Sequence, residues 1–201
     1  MGLRLNWRMP RIRWMFSLRP GKRAAELRGV LLTAGDLGAG IWEVEDGRMW
    51  TGVAAGPNSD WAERARAAGL ITVWRAFWRP GSHEVLFTEI AELASPGDAA
   101  DASKEMVQPI PTFRGVITSE RVVDLTILNA STTVTQANIE FDGEQLTTLV
   151  CCYPVRNYLV VIHHASSALA LDEFIRINAL QASRLSDCGH SSPPDVSPSE
   201  D

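Results

Sequence analysis

The sequence predicts an α+β domain, in which a curved antiparallel sheet of about six to eight strands carries three helices on one face. Runs of β-type residues are joined by the short turn sequences Asp46-Gly47, Pro80-Gly81 and Asp142-Gly143, and tight turns connect antiparallel strands. Helical signals mark residues 60–69, 95–107 and 169–185. A series of strands followed by a final helix is typical of domains in which helices pack on a sheet.

The predicted elements follow one another along the chain with little unassigned sequence between them. Thr33 to Asp36 resembles a capping box and predicts one helical turn. Asp46-Gly47 predicts a hairpin that places Glu45 opposite Arg48. The predicted strands cover residues 41–45, 48–53, 70–79, 83–93, 116–118, 122–128, 132–141, 145–153 and 158–164.

Charge and composition divide the chain into three parts. Residues 1–28 form a basic aromatic arm with a net charge of +7, and the rest of the chain carries −12. Residues 29–185 are predicted to form a single domain, and residues 186–201 a disordered acidic tail, because that tail has almost no apolar residues. Arginine outnumbers lysine 17 to 2, a bias typical of a bacterium with a high-GC genome.

The arm is predicted to bind an anionic membrane surface, with residues 1–28 disordered or lying on that surface. Cations and aromatic side chains alternate in it, as in interfacial membrane segments. Nucleic acid is not expected as a partner, because the acidic body would repel it. The residues assigned to this surface are Arg4, Trp7, Arg8, Arg11, Arg13, Trp14, Phe16 and Arg19.

The three cysteines predict reduced thiols and therefore a cytoplasmic location. Together with the basic arm, this predicts a protein that is peripheral on the inner face of the membrane. Cys151 and Cys152 are adjacent, and a disulfide between neighbours would be strained. A secretory signal is not expected, since Arg11, Arg13 and Arg19 interrupt every short apolar run of the N-terminus.

No catalytic residue, metal site or cofactor is predicted. Cys151, Cys152, His163 and His164 have the residue types of zinc ligands, but a register with Tyr153 opposite Tyr158 places His163 opposite Thr148, away from both thiols. The adjacent Ser82, His83 and Glu84 have the residue types of a catalytic triad, but neighbours on a strand point to opposite sides.

Tryptophan is the over-used residue, with seven in the chain, and it provides the candidate binding surface. Trp74, Ala76 and Trp78 share one face of the strand at residues 70–79. We assign the surface to Trp74, Trp78, Trp42 and Trp50, for a protein partner or an apolar ligand. Core packing is the alternative explanation of these side chains.

Three segments resemble a family of actinobacterial α+β domains, found as lipoproteins and as sensor ectodomains of Ser/Thr kinases, many with a PsbP-like fold. They are Leu31-Leu-Thr-Ala-Gly-Asp-Leu37, the Ser-Pro-Gly-Asp-Ala-Ala-Asp-Ala run at 95–102, and Arg156-Asn-Tyr-Leu-Val-Val-Ile162 before the closing helix. The chain departs from the family in lacking a lipobox and paired cysteines. The resemblance implies a non-catalytic binding or assembly role.

The sequence therefore predicts a non-enzymatic binding or adaptor module. A homodimeric structural protein is one alternative, with the open sheet face as the interface. The other is a small-ligand-binding domain with a cryptic enzyme activity. His163 or His164 in a cleft beside an acid would favour the enzyme.

Overall fold

A computed structural model of the chain describes residues 22–38, 40–47, 72–105, 116–127 and 130–188. Its helices are α1 (Lys22–Val30), α2 (Pro96–Glu105) and α3 (Leu171–Cys188), with a 3-10 turn at Ala34–Leu37. Its strands are β1 (Glu43–Gly47), β2 (Thr72–Trp78), β3 (Val85–Glu92), β4 (Val116–Ile127), β5 (Ala130–Phe141), β6 (Glu144–Val155) and β7 (Tyr158–Ser166). No helix among these residues is long and apolar enough to cross a bilayer.

The described strands form one antiparallel sheet in the order β1-β2-β3-β7-β6-β5-β4. The α+β class and the antiparallel sheet are thereby confirmed. The central strand β7 is buried at all nine positions, because it lies between β3 and β6 with layers packed on both faces. Chain order and sheet order differ at β3, whose neighbour is the last strand rather than the next one.

The helices divide between the two faces of the sheet. Helices α1 and α3 cover the face that presents Phe77, Ile90 and Ile162, which we call the α3 face. Helix α2 packs its Ala99 and Ala102 on the opposite face, against apolar side chains of β3, β6 and β7. We expected all helices on one face; α2 lies on the other because residues 148–153 of β6 and all of β7 are buried at consecutive positions and therefore need cover on both sides.

Helix α1 corrects the predicted boundary of the arm. Residues 22–28 belong to this helix, and its Ala24 and Leu27 lie in the core on the α3 face. Residues 1–21 lie outside the described residues, as do 189–201 of the predicted tail, whereas 186–188 complete α3. The part of the predicted arm from Lys22 onward therefore belongs to the folded domain.

Two predicted turns are found where the sequence places them. Asp142 and Gly143 join β5 to β6 with φ angles of 50° and 78°, the left-handed region that Asp-Gly pairs tolerate. Thr33 and Asp36 form the predicted capping box before the 3-10 turn. Ser95 caps α2, its Oγ accepting the amide N–H of Asp98 at 3.1 Å.

Two local predictions are corrected. Asp46 and Gly47 do not form a turn: they are strand residues of β1, opposite Arg75 and Trp74 of β2. The guanidinium of Arg75 donates to both carboxylate oxygens of Asp46, at 2.5 and 2.9 Å, which holds this segment extended. The predicted partner strand at 48–53 lies outside the described residues. The strands predicted at 116–118 and 122–128 are one strand, β4, with a bulge between Ile117 and Ser119.

The register of β6 and β7 also differs from the prediction, by two residues. Val155 lies opposite Tyr158, so that Cys152 lies opposite Val161 and His163 opposite Val150. The turn is only Arg156-Asn157, with Arg156 at a φ of 54°, and this leaves Pro154 within the strand. Proline is tolerated there because β5 does not extend beside it.

Polar side chains of α3 hold the segment after α1 in place. Gln181 Oε1 accepts the amide N–H of Leu32 at 3.1 Å, and its Nε2 donates to the carbonyl of Val30 at 2.9 Å. Arg184 donates to the carbonyl of Leu31 at 3.0 Å and to Asp36 Oδ1 at 2.7 Å. These bonds give the Leu31–Leu37 motif a structural role, since they satisfy backbone groups that helix α1 leaves open.

Candidate functional site

Of the four tryptophans assigned to a binding surface, the structure separates Trp42 from Trp74 and Trp78. Trp74 and Trp78 point to the face that α2 partly covers, which we call the α2 face, as the alternation of β2 predicts. Trp42 packs against the core of the α3 face, edge-on to Phe77 at 6.5 Å between ring centroids. The guanidinium of Arg79 lies 4.7 Å above its ring. Trp50 lies outside the described residues, so the assigned surface reduces to Trp74 and Trp78.

On the α2 face, Trp74 and Trp78 form a small cluster with Ala76 and Phe87, which we call the aromatic patch. The rings of Trp74 and Phe87 are 5.8 Å apart and tilted by 30°. Trp78 Nε1 donates to Glu43 Oε2 at 2.5 Å, which fixes the outer edge of the patch. Trp74 and Phe87 are largely buried, with 9% and 8% of their surfaces exposed.

Glu89 lies between the aromatic patch and the apolar cluster beneath α2. Its position on β3 is opposite Trp74 on one side and Val161 on the other. Its side chain shares the α2 face with Phe87 and Ala91, because alternate residues of a strand point the same way. The residue is 1% exposed, so that the two apolar groups are separated by a buried carboxyl.

Among the described residues, no donor lies within hydrogen-bonding distance of either carboxyl oxygen of Glu89. Burial raises the pKa of Glu89 to about 8, since an unpaired carboxylate is poorly solvated in an apolar interior. Buried carboxyl groups are almost always paired. A group of this kind at the edge of an aromatic cluster is typical of a functional site rather than of a core.

Two further ionisable side chains face the same side of the sheet. His163 of β7 lies opposite Phe87 of β3. Cys152 of β6 lies opposite Val161 of β7, which on its other side lies opposite Glu89 of β3. Burial lowers the pKa of His163 to about 3, with a smaller effect of His164, so the imidazole is neutral at pH 7. Burial raises the pKa of the Cys152 thiol, as do the nearby Cys151 and Glu89. The site therefore holds neutral polar groups around one acid.

The sequence contains a signal for Glu89. In the strand predicted at residues 83–93, alternation places Val85, Phe87 and Ala91 on one face, and Glu89 falls on the same alternation. A charged residue on the apolar face of a strand is informative, because polar residues normally lie on the opposite face.

The His–acid pair that would favour an enzyme is present elsewhere. His164 Nε2 lies 3.4 Å from Glu84 Oε1, and Arg79 lies 3.2 Å from the other oxygen of Glu84. The hydrogen bond from His164 and the charge of Arg79 hold the pKa of Glu84 below its usual value, although burial opposes them. A carboxylate kept ionised by a guanidinium is a weak proton acceptor, which favours an ion-pair role.

The residues of the apparent triad diverge, as predicted. Ser82 Oγ donates to the carbonyl of Arg79 and accepts the amide N–H of Glu84, each at 3.2 Å. His83 Nδ1 bonds Glu144 at 2.9 Å, and Glu84 turns to His164. Within the described part of the chain, no group of three metal-ligating side chains lies close enough to hold a metal ion.

Comparisons with known proteins give a shared fold. No protein-family model and no curated protein matches the sequence. The extracellular domain of PknH from Mycobacterium tuberculosis is similar over 80% of this chain and 92% of its own, with 10% identity and a TM-score of 0.50. An uncharacterised protein of Mycobacterium smegmatis, the Rv0999 ortholog, aligns over 81% and 94% with 16% identity and a TM-score of 0.38.

The PknH match is consistent with the resemblance to actinobacterial domains of the kinase-sensor type, and a PsbP-like fold finds no support in it. The prediction of a cytoplasmic location at the inner face of the membrane is corrected, because the solved structure that shares the fold is an extracellular domain. The prediction relied on reduced thiols. Cys151 and Cys152 are buried on opposite faces of β6, so they cannot form a disulfide in any compartment and say nothing about location.

Proposed function

We propose that this chain is a non-enzymatic binding module that takes an apolar ligand at the aromatic patch and acts outside the cytoplasm. The PknH domain, which shares the fold, is extracellular, and this supports the location. The observation that carries the binding proposal is Glu89, a buried carboxyl without a hydrogen-bond donor among the described residues, beside Trp74 and Phe87. Apolar pockets with few polar groups are the usual form of small-molecule sites.

The neutral apolar dye Nile red provides the first test, as a probe of the aromatic patch. We expect it to bind the full chain in one saturable step, detected as a rise in dye fluorescence. Trp74→Leu should weaken the binding about tenfold, because it removes an aromatic contact worth roughly 1 kcal/mol or more. Trp42→Leu is the matched control on the α3 face and should leave the affinity unchanged. Equal losses in both variants, or no saturable binding, would contradict the proposal.

A homodimer through strand β4 is a second candidate. Strand β4 is the last strand of the sheet order, and its Val116 and Val122 are 68% and 66% exposed. We expected an open sheet face to form the interface, but residues on both faces of β3 and β7 are buried. Exposed apolar side chains lie instead on β4, which is an edge strand of the sheet formed by the described residues, and an edge strand can pair with a second copy.

Light scattering tests the dimer. The full chain should have twice the monomer mass, and Val122→Lys should shift it to the monomer mass, because a charge on the edge strand opposes pairing. Ala25→Lys, at an exposed position of α1, is the control. A monomer mass for the unchanged chain at high concentration would exclude this interface.

The basic arm remains a separate proposal, for binding to an anionic lipid surface. The full chain should sediment with phosphatidylglycerol vesicles at low salt, since each cation near the surface adds about 1 kcal/mol. A chain beginning at Lys22 should stay in solution, and it retains Ala24 and Leu27 in the core. Phosphatidylcholine vesicles, which are neutral, are the control. Equal sedimentation of both chains would contradict the proposal.

A further inference from the structure

The chemistry around Glu89 indicates which ligands this site can accept. The carboxyl has two oxygen atoms, both without a donor among the described residues. A ligand that donates hydrogen bonds, or that carries positive charge, would satisfy both atoms. A ligand carboxylate would add a second negative charge to an apolar site, which is strongly unfavourable. The site therefore selects against anions.

The aromatic side chains on either side favour a cation over a neutral donor. Trp74 lies across the strand pair from Glu89, and Phe87 precedes it by one position on the same face of β3. The faces of both rings carry partial negative charge, which attracts ammonium groups. Trp78, next to them, extends the apolar surface on which the body of a ligand can rest.

No described charge on this face competes with such a cation. Strand β7 contributes the neutral His163, β6 contributes the Cys152 thiol, and β2 contributes Trp74. Asp98, Asp101 and Lys104 of α2 are exposed, and Lys104 is paired with Asp101 at 3.2 Å. Arg75 points to the α3 side, where it binds Asp46 and the carbonyl of Leu32. An entering cation would therefore meet Glu89 and, at the outer edge of the patch, Glu43, and no repelling positive charge among these groups.

We propose that the site formed by Glu89, Trp74 and Phe87 binds an organic ammonium ion with an apolar body. This inference rests on the proposed function, whose ligand it names by class. Binding pairs the Glu89 carboxylate with the ammonium group and places the ligand's apolar part on the aromatic patch. The proton of Glu89 leaves to solvent when the pair forms, so binding releases a proton over the pH range in which the free site is protonated.

Three benzyl compounds of different charge, the first two of equal shape, test this inference on the full chain. Benzyltrimethylammonium is permanently cationic, neopentylbenzene is its neutral isostere, and phenylacetate is an anion. Quenching of tryptophan fluorescence at pH 8.5 should give a Kd for the cation about tenfold or more below that of the neutral isostere. Phenylacetate should not bind. The affinity for the cation should rise from pH 6 to pH 8, because Glu89 must lose its proton.

Glu89→Gln should remove both the preference for the cation and the pH dependence, while neopentylbenzene binds as before. Equal Kd values for the cation and the neutral isostere would overturn the ammonium inference and leave the proposed function standing. A preference for the cation that persists in Glu89→Gln would also overturn it. The comparison of the three probes on the unchanged chain decides the question even if the variant does not fold. Failure of all probes overturns the inference, and the Nile red titration then decides the proposed function separately.

Discussion

Replacing Glu89 by leucine should stabilise the protein, and the gain should grow as the pH rises from about 4.5 to about 8. The carboxyl is fully buried, and its pKa is raised from an ordinary value of 4.5 to about 8. The full effect of that difference is on the order of 4–5 kcal/mol in the free energy of unfolding. Leucine has a similar volume and no charge to desolvate, so it removes this cost.

The direction of the pH effect follows from where the proton is bound. Below pH 4.5 the group is protonated in both states and does not affect stability through titration. Between 4.5 and 8 the folded protein retains a proton that the unfolded chain has released, so stability falls as the pH rises. His163 acts in the opposite direction below pH 6.5, because its pKa is lowered. Its contribution is the same in both proteins and cancels in their difference.

Urea unfolding of both proteins between pH 5 and pH 9 measures this effect. The difference in unfolding free energy should increase up to about pH 8 and then level off. Glu140→Leu, at an exposed position on β5, should give a small difference that changes little with pH. Parallel profiles for the unchanged chain and Glu89→Leu would show that Glu89 is not the buried acid described above. A stabilised variant that has lost ligand binding would show that the carboxyl is kept for recognition.

Gln181→Ala should lower the unfolding free energy by about 3–5 kcal/mol. The side-chain amide of Gln181 serves three groups: the amide N–H of Leu32, the carbonyl of Val30 and, at 3.4 Å, the hydroxyl of Thr88. Gln181 is 0% exposed, so water cannot readily replace it. Each buried polar group left without a partner costs roughly 1–3 kcal/mol.

Urea unfolding at one pH measures this loss, and amide hydrogen exchange locates it. The amide of Leu32 should lose its protection in Gln181→Ala, since its acceptor is gone. Ser183→Ala is the matched control, because Ser183 is exposed two residues further along the same helix. An unfolding free energy within about 0.5 kcal/mol of the unchanged chain would contradict the clamping role assigned to Gln181.

The features predicted correctly from the sequence are those with local causes. Asp142-Gly143 forms a turn because those two residues tolerate the left-handed region. Ser95 caps α2 because its hydroxyl reaches the amide of Asp98 three residues away. The alternation of Trp74 and Trp78 on one face follows from strand geometry alone.

The features that the sequence did not reveal depend on contacts between distant segments. Asp-Gly at 46–47 has a strong turn signal, yet Arg75, 29 residues away, holds Asp46 in a strand. The face that α2 covers follows from the apolar positions of β6 and β7, not from α2 itself. Glu89 and Gln181 each occupy a position in a repeating pattern of apolar residues. A polar residue at such a position is itself the sequence signal for a buried polar side chain.

The clamp between α3 and the segment after α1 also bears on how the chain acquires its structure. The bond from Leu32 to Gln181 joins residues 149 positions apart. Strand β3 pairs with β7, which follows it in the chain by more than 60 residues. Contacts of this separation are slow to form, because a large loop must close before they are made. During synthesis, β3 would lack β7 as a neighbour, and the segment after α1 would lack the side chains of α3, until these elements have left the ribosome. A chain shortened by a few turns at its C-terminus should therefore fail to fold at both ends at once.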